Sequence, residues 1–242
     1  MNSSDLSLQG KNVIITGASK GIGKPVAEKF AAEGAHLFLC ARNEVQLYQA
    51  VADLQSHYPE AVVKGKAADL SQKAAAIAFG EWVNSNAAAD IVVNNAGQFL
   101  PGSVYNEADG LLEQMINGNL YSAYHLTRTL LPPMMAAKKG YVFNMCSIAS
   151  LQAYANGGSY SISKFAMLGF SKNLREELKP FNIKVCAILP GAVLTDSWGD
   201  YDNSTHRIME ANDIADIILT AVKLSPAAVI EDIVIRPQLG DL

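Results

Sequence analysis

The chain has 242 residues, a formal net charge of −4, 17% charged and 50% hydrophobic residues. That apolar share can bury a substantial core and argues against a disordered chain. The slightly acidic balance, without a long charge run, argues against nucleic acid or an anionic membrane as the main partner. No apolar run approaches the roughly 20 residues of a membrane span. The opening Met-Asn-Ser-Ser-Asp-Leu has no basic region followed by an apolar core, so no signal peptide is expected and the chain reads as cytoplasmic. Cys40, Cys146 and Cys186 all lie in apolar, strand-like contexts without a Cys-x-x-Cys pair. They read as reduced core residues, with no disulfide framework and no metal site.

Residues 12–16 form a short apolar run expected as the first strand. The turn Thr16-Gly-Ala-Ser-Lys-Gly-Ile-Gly23 follows, and a helix runs from it to Glu33, stopped by Gly34. A glycine-rich turn between strand and helix lets backbone approach a pyrophosphate, whose charge the helix N-terminus favours. The spacing of Gly17, Gly21 and Gly23 is G-x-x-x-G-x-G. A Walker A reading fails because Ala18 and Pro25 occupy required positions. A second strand spans 35–41 and ends in Arg42-Asn43, with no acid at its tip. An acid there would bind a ribose 2′-hydroxyl, whereas an arginine pairs with a 2′-phosphate. Arg42, with Lys20 as a second cation, therefore favours NADP(H) over NAD(H). The plain alternative for Arg42 is a solvated loop charge.

A helix is expected over 43–57, a strand over 61–67 ending at Asp69-Leu70, and a helix over 73–86. Asp90-Ile-Val-Val-Asn-Asn-Ala-Gly97 is a strand running into a polar turn suited to close packing beside a ligand. A helix spans about 108–137, bent or ended by Pro132-Pro133. The next strand, 141–147, ends on Ser147. A helix over 159–179 carries Tyr160 and Lys164, and a strand over 183–189 leads into Pro190-Gly191. Residues 192–211 are one long irregular segment, followed by a helix over 213–224 and a last strand over 229–235. Seven strand-like runs alternating with helices predict a Rossmann-type, doubly wound parallel sheet with helices on both faces. No linker, repeat or composition break divides the chain, so residues 1–242 read as one domain. Ligands bind at the carboxyl ends of such strands, where the motifs above converge.

Tyr160 and Lys164 share a helical face, about 6 Å apart along the axis. A phenol near pH ~10 is a poor acid or base alone, and a fixed ammonium beside it lowers that value. A Ser147 hydroxyl on the same reacting oxygen completes a set able to pass a proton to or from a carbonyl or carbinol. On its own, Tyr-x-x-x-Lys also occurs by chance.

The joint order of these motifs resembles the short-chain dehydrogenase/reductase family over nearly the whole chain. Thr16–Gly23 resembles its cofactor signature, and Asn94-Asn95-Ala96-Gly97 the motif after its fourth strand. Ser147, Tyr160 and Lys164 fall at its catalytic spacing, and Asn119 matches the asparagine of its tetrad. The resemblance implies that Tyr160 is the general acid/base and that Lys164 lowers its pKa and holds the nicotinamide ribose. It implies that Ser147 polarises the substrate oxygen and that Asn119 holds a water linking Lys164 to solvent. Asp69 resembles the residue contacting the adenine, and Pro190, Gly191 and Thr195 the segment at the nicotinamide end. The same likeness extends cofactor contact to Ser19, Ile22, Leu70 and Val193. The last ten residues lack the Gly-Gly common in the family. They look closer to NADP-dependent reductases of the serine dehydrogenase and sepiapterin reductase type, and away from a fatty-acid-synthesis reductase.

Phe99, Tyr154, Trp198 and Tyr201 are expected at a substrate pocket. Trp198 and Tyr201 read equally as a lid packed on the core. His206 is not expected to be catalytic, because Tyr160 fills that role. The expected function is NADP(H)-dependent interconversion of a small carbonyl and an alcohol; the alternative is a non-catalytic NADP(H)-binding sensor. An epimerase or dehydratase would need a larger substrate domain. The resemblance implies a homodimer or homotetramer, with Tyr121, Tyr124, Phe165, Met167 and Phe170 as candidate contact residues.

Overall fold

The computed structural model describes residues 7–241. The opening hexapeptide, read as lacking a signal sequence, and Leu242 lie outside them. Seven strands are present: β1 (Asn12–Thr16), β2 (His36–Ala41), β3 (Val63–Ala67), β4 (Ile91–Asn94), β5 (Gly140–Met145), β6 (Ile183–Pro190) and β7 (Asp232–Ile235). They pair in parallel in the order β3-β2-β1-β4-β5-β6-β7. The helices are α1 (Gly23–Ala32), α2 (Glu44–His57), α3 (Lys73–Asn86), α4 (Leu111–Ile116), α5 (Ser122–Ala137), α6 (Gly158–Leu178) and α7 (Ala211–Val222).

Continuous apolar strands fit a sheet covered on both faces. The pleat sends Val13 and Ile15 of β1 to one side, where they pack with Val26, Phe30, Leu47, Val51, Ile214 and Ile218 of α1, α2 and α7. Ile14 points the other way and meets Phe79, Val83, Leu126, Leu130 and Leu174 of α3, α5 and α6. Each such fully buried side chain contributes about 1.5–3 kcal/mol. The chain reverses its winding between β1 and β4. The turns that follow these neighbours diverge to opposite faces and open a crevice at their carboxyl ends.

Three expectations are corrected. Pro132 and Pro133 do not end the helix, because α5 runs through both. Proline lacks the N–H that would serve the carbonyl four residues back. For Pro133 that carbonyl belongs to Thr129, and it accepts instead from Asn84 Nδ2 of α3 at 2.8 Å. The break falls earlier, where residues 117–121 form a π-helical turn between α4 and α5. Such wide turns recur at functional sites, and this one carries Asn119. Strand β5 stops at Met145, so Ser147 sits two residues beyond it. Its hydroxyl accepts the Ala149 N–H at 3.1 Å and caps a single 3₁₀ turn, Ile148–Ser150. The segment after β6 is not wholly irregular: it holds a 3₁₀ turn at Asp196–Trp198 and a parallel bridge between Val193 and Met209.

Cys40, Cys146 and Cys186 are buried and unpaired. Burial pushes the Cys40 and Cys146 thiols up to about 12 and Cys186 up as well. Among the described residues no helix is long and apolar enough to cross a membrane.

Candidate active site

The turn after β1 and the turn after β4 are stitched to each other. Thr16 Oγ1 accepts the N–H groups of Asn95 at 3.0 Å and Ala96 at 2.9 Å. Asn95 Nδ2 donates back to the carbonyls of Thr16 at 3.0 Å and Gly17 at 3.2 Å. Asn95 therefore spends its side chain on holding the glycine turn. Gly17 and Gly21 lie at φ +64° and +54°, where only glycine is unstrained. At Gly23 a Cβ would stand 2.2 Å from the Gly17 carbonyl oxygen. Helix α1 begins there without a side-chain cap and without an acid in its first turn. Its leading N–H groups and positive dipole end are left for an anion.

Arg42 is exposed at the tip of β2, where Asn43 Oδ1 accepts the Gln46 N–H at 2.9 Å and starts α2. Lys20 departs from expectation: its ammonium pairs with Asp196 at 2.9 Å, both half exposed. Asp69 Oδ1 accepts from Ser71 N–H at 3.1 Å and Ser71 Oγ at 2.8 Å. Leu70 and Val193 turn their side chains into the core, and Ile22 packs partly against it. Contact to a ligand from these three would come from backbone. Ser19 is half-buried within the glycine turn.

Beyond β5 and along α6 the polar groups cluster. Lys164 is 6% exposed. Its Nζ donates to the Met145 carbonyl at 2.8 Å and lies 5.8 Å from the centre of the Tyr160 ring. Phe99 meets that ring edge-on, with centroids 4.9 Å apart. Gly97 closes the turn after β4, and a Cβ there would be 2.9 Å from Asn119 Oδ1 and 3.8 Å from Lys164 Nζ. The two residues thus face one point. Asn119 is buried and fully engaged: Oδ1 accepts the Gln98 N–H at 2.8 Å, and Nδ2 donates to the Gln98 carbonyl at 3.0 Å and Ser163 Oγ at 2.9 Å.

Burial moves both titrating groups, in opposite directions. It pushes the Tyr160 phenol above its usual range, while the Ser147 hydroxyl pulls it back. It pulls the Lys164 ammonium down to about 8. The lowering expected from Lys164 is not seen in the cofactor-free chain, where burial sets the upward direction of the Tyr160 shift and the Ser147 hydroxyl is what opposes it. At neutral pH the phenol keeps its proton and can give it to an adjacent oxygen.

On the substrate side, the Trp198 and Tyr201 rings pack at a tilt of 54°, centroids 5.3 Å apart, in the segment after β6. Thr195 Cγ2 would be 3.7 Å from a Cβ on Gly21, so this segment lies on the glycine turn. Tyr154 borders a separate cavity of about 330 Å³ on the outer side of α6, with Val104, Ile162 and Phe165. Burial raises its phenol to about 12, with Tyr160 close enough to add to the shift. Of the candidate subunit contacts, Tyr121 and Phe165 are exposed, but Met167 is corrected to a core residue. Sequence reasoning missed Ser163, Gln98, Asp196 and Glu107; the Glu107 carboxylate accepts from Ser159 N–H at 3.2 Å and from its hydroxyl. A polar residue fixed at 1% exposure, as Ser159 is, has no signature in a sequence.

Comparison with known proteins agrees with this geometry. The profile of the family described as short chain dehydrogenase matches residues 11–205. The uncharacterized oxidoreductase YvrD of Bacillus subtilis is 34% identical over 197 residues, 81% of this chain and 74% of its own. L-sorbose reductase from Gluconobacter frateurii, complexed with NADPH and L-sorbose, superposes with a TM-score of 0.87 at 28% identity, covering 96% of this chain and 97% of that one. A metagenomic short-chain oxidoreductase in complex with NADP gives 0.84 at 29% identity, over 96% and 99%. With a parallel seven-stranded sheet, the glycine turn and the Ser147–Tyr160–Lys164 cluster in place, the chain belongs to the short-chain dehydrogenase/reductase family of oxidoreductases.

Proposed function

We propose that this protein is an NADP(H)-dependent oxidoreductase that interconverts a small carbonyl compound and its alcohol, with Tyr160 as general acid/base. The observation that carries the reading is the buried cluster itself. A protonated phenol, a serine hydroxyl and a desolvated ammonium meet beside Gly97, next to an uncapped helix N-terminus. The residues fit the cofactor: the glycine turn leaves no side chain in the way, and α1 offers its N–H groups to a pyrophosphate. Gly17–Gly23 would hold the pyrophosphate, Arg42 the 2′-phosphate, and Asp69, Leu70 and Asn95–Gly97 the adenosine side. Lys164 and Tyr160 would hold the nicotinamide ribose, and Pro190, Gly191, Val193 and Thr195 the nicotinamide end. The bound nicotinamide supplies or accepts the hydride.

The chain's own part is proton transfer and positioning. Ser147 donates a hydrogen bond to the substrate oxygen and orients it. Tyr160 delivers its proton to that oxygen in reduction and takes it back in oxidation. Lys164 stabilises the phenolate left behind, and Asn119 braces the turn after β4 against α6. Because burial favours the protonated phenol, Tyr160 is set to donate in reduction near neutral pH. Phe99 against the Tyr160 ring, and Trp198 with Tyr201 in the segment after β6, give the substrate side apolar rings, which favours a small, uncharged substrate. The exposed Tyr121 and Phe165 support a homodimer or homotetramer.

NADP preference is supported by Arg42 at an acid-free strand tip and by the NADPH and NADP held by the two similar structures. Exchanging Arg42 for Asp tests it. Loss of a charge-assisted pair costs about 1.5–3 kcal/mol, so NADPH should bind at least about tenfold more weakly while NADH changes little. Unchanged affinity for both would remove Arg42 from the site.

A further inference from the structure

Both ends of the segment over the glycine turn are anchored by the same six residues, Arg236–Asp241. After β7 the chain turns at Pro237–Gly240, where the Gly240 N–H donates to the Pro237 carbonyl at 2.9 Å. Gly240 takes φ +81°, and the turn folds Asp241 back onto the end of β6. Asp241 Oδ1 accepts the Ala192 N–H at 3.0 Å. Its Oδ2 lies 2.7 Å from Arg236 Nε and 2.6 Å from Arg236 Nη2. At the segment's other end, Arg207 Nη1 donates to the Gly240 carbonyl at 2.8 Å and Nη2 to the Asp241 carbonyl at 3.4 Å. Gly191 permits this approach, because a Cβ there would stand 2.0 Å from Asp241 Oδ1.

We propose that Asp241 is a positioning residue: acting through Ala192, and with Arg207 at the far stem, it fixes residues 192–207 for the nicotinamide half of the cofactor. The inference rests on reading the crevice as an NADP(H) site. A backbone N–H held by a carboxylate, itself held by a guanidinium, is a charge-assisted bond of fixed geometry. Ordering the segment in advance removes an ordering cost that binding would otherwise meet. The pyrophosphate and adenosine sides are formed by the glycine turn, Arg42 and Asp69, none of which hydrogen-bonds to Arg207 or to 236–241; the glycine turn meets the segment through the half-exposed Lys20–Asp196 pair, a weak surface contact. Breaking the clasp should therefore weaken one half of the cofactor site and spare the other.

The test titrates wild type, Asp241→Ala and Asp241→Asn calorimetrically with NADPH and with adenosine 2′,5′-bisphosphate, which lacks the nicotinamide half. Asp241→Ala should bind NADPH roughly tenfold more weakly and the bisphosphate as wild type does. Asp241→Asn, which keeps an acceptor for Ala192, should fall between. In cofactor-free protein, hydrogen exchange should quicken at Ala192–Thr195 in Asp241→Ala and stay unchanged in the glycine turn. Equal loss for both ligands means general loosening and overturns the proposal, as does unchanged NADPH affinity or unchanged exchange. A wild-type protein that binds neither ligand overturns the cofactor reading and the role given to Asp241. The exchange measurement then still reports whether the clasp holds the segment.

Discussion

Replacing Lys164 with methionine should make the cofactor-free protein more stable at neutral pH. Lys164 is 6% exposed, and the Met145 carbonyl is its hydrogen-bond partner among the described residues. Burial lowers its pKa from 10.5 to about 8. Each unit corresponds to about 1.4 kcal/mol, so holding the ammonium at neutral pH costs the fold about 3 kcal/mol. Between pH 8 and 10.5 the unfolded chain binds this proton and the folded chain does not. Wild-type stability therefore gains from this group as pH rises through that window. Methionine keeps the apolar stem and removes the charge, leaving the Met145 carbonyl without a donor at a cost of about 1 kcal/mol. The net gain is about 2 kcal/mol at neutral pH, and it should vanish and slightly reverse above pH 10.5. Urea unfolding followed by tryptophan fluorescence, at several pH values without cofactor, measures it. A stability difference that does not change between pH 8 and 10.5 would refute the depressed ammonium.

Two glycines give opposite expectations. Gly23→Ala places a Cβ 2.2 Å from the Gly17 oxygen and 2.7 Å from Asn95 Nδ2, so a large fall in the denaturant midpoint, or no folded protein, is expected; a wild-type midpoint would contradict the knitted turns. Gly169→Ala, inside α6 with nothing within 4 Å of the added Cβ, should raise stability by about 0.5–1 kcal/mol in the same titration.

Most strands were legible because they are short apolar runs between turn residues, and the parallel, doubly wound sheet follows from their alternation with helices; the strand order was not read. The glycine turn, Tyr160 and Lys164 were legible because their chemistry fixes their spacing along one turn or one helical face. What escaped depends on partners far along the chain. Pro132-Pro133 reads as a helix break until Asn84, 45 residues from Thr129, supplies the missing donor. Lys20 reads as a free cation until Asp196 folds against it. The direction of the Tyr160 shift follows from burial, which local spacing does not encode. Asp241 looks like a solvated acid, and only the closeness of Gly191 reveals its place.

The central claim is that Tyr160 is the proton donor of a nicotinamide-dependent carbonyl reduction. Tyr160→Phe removes one hydroxyl and keeps the ring against Phe99. The direct measurement follows NADPH absorbance with a panel of small ketones and aldehydes, for wild type and variant, alongside NADPH binding to each. The account predicts wild-type turnover on at least one carbonyl, a loss of roughly 10²–10⁴-fold in the variant, and near-equal NADPH binding by both. Equal turnover by the two proteins would contradict it.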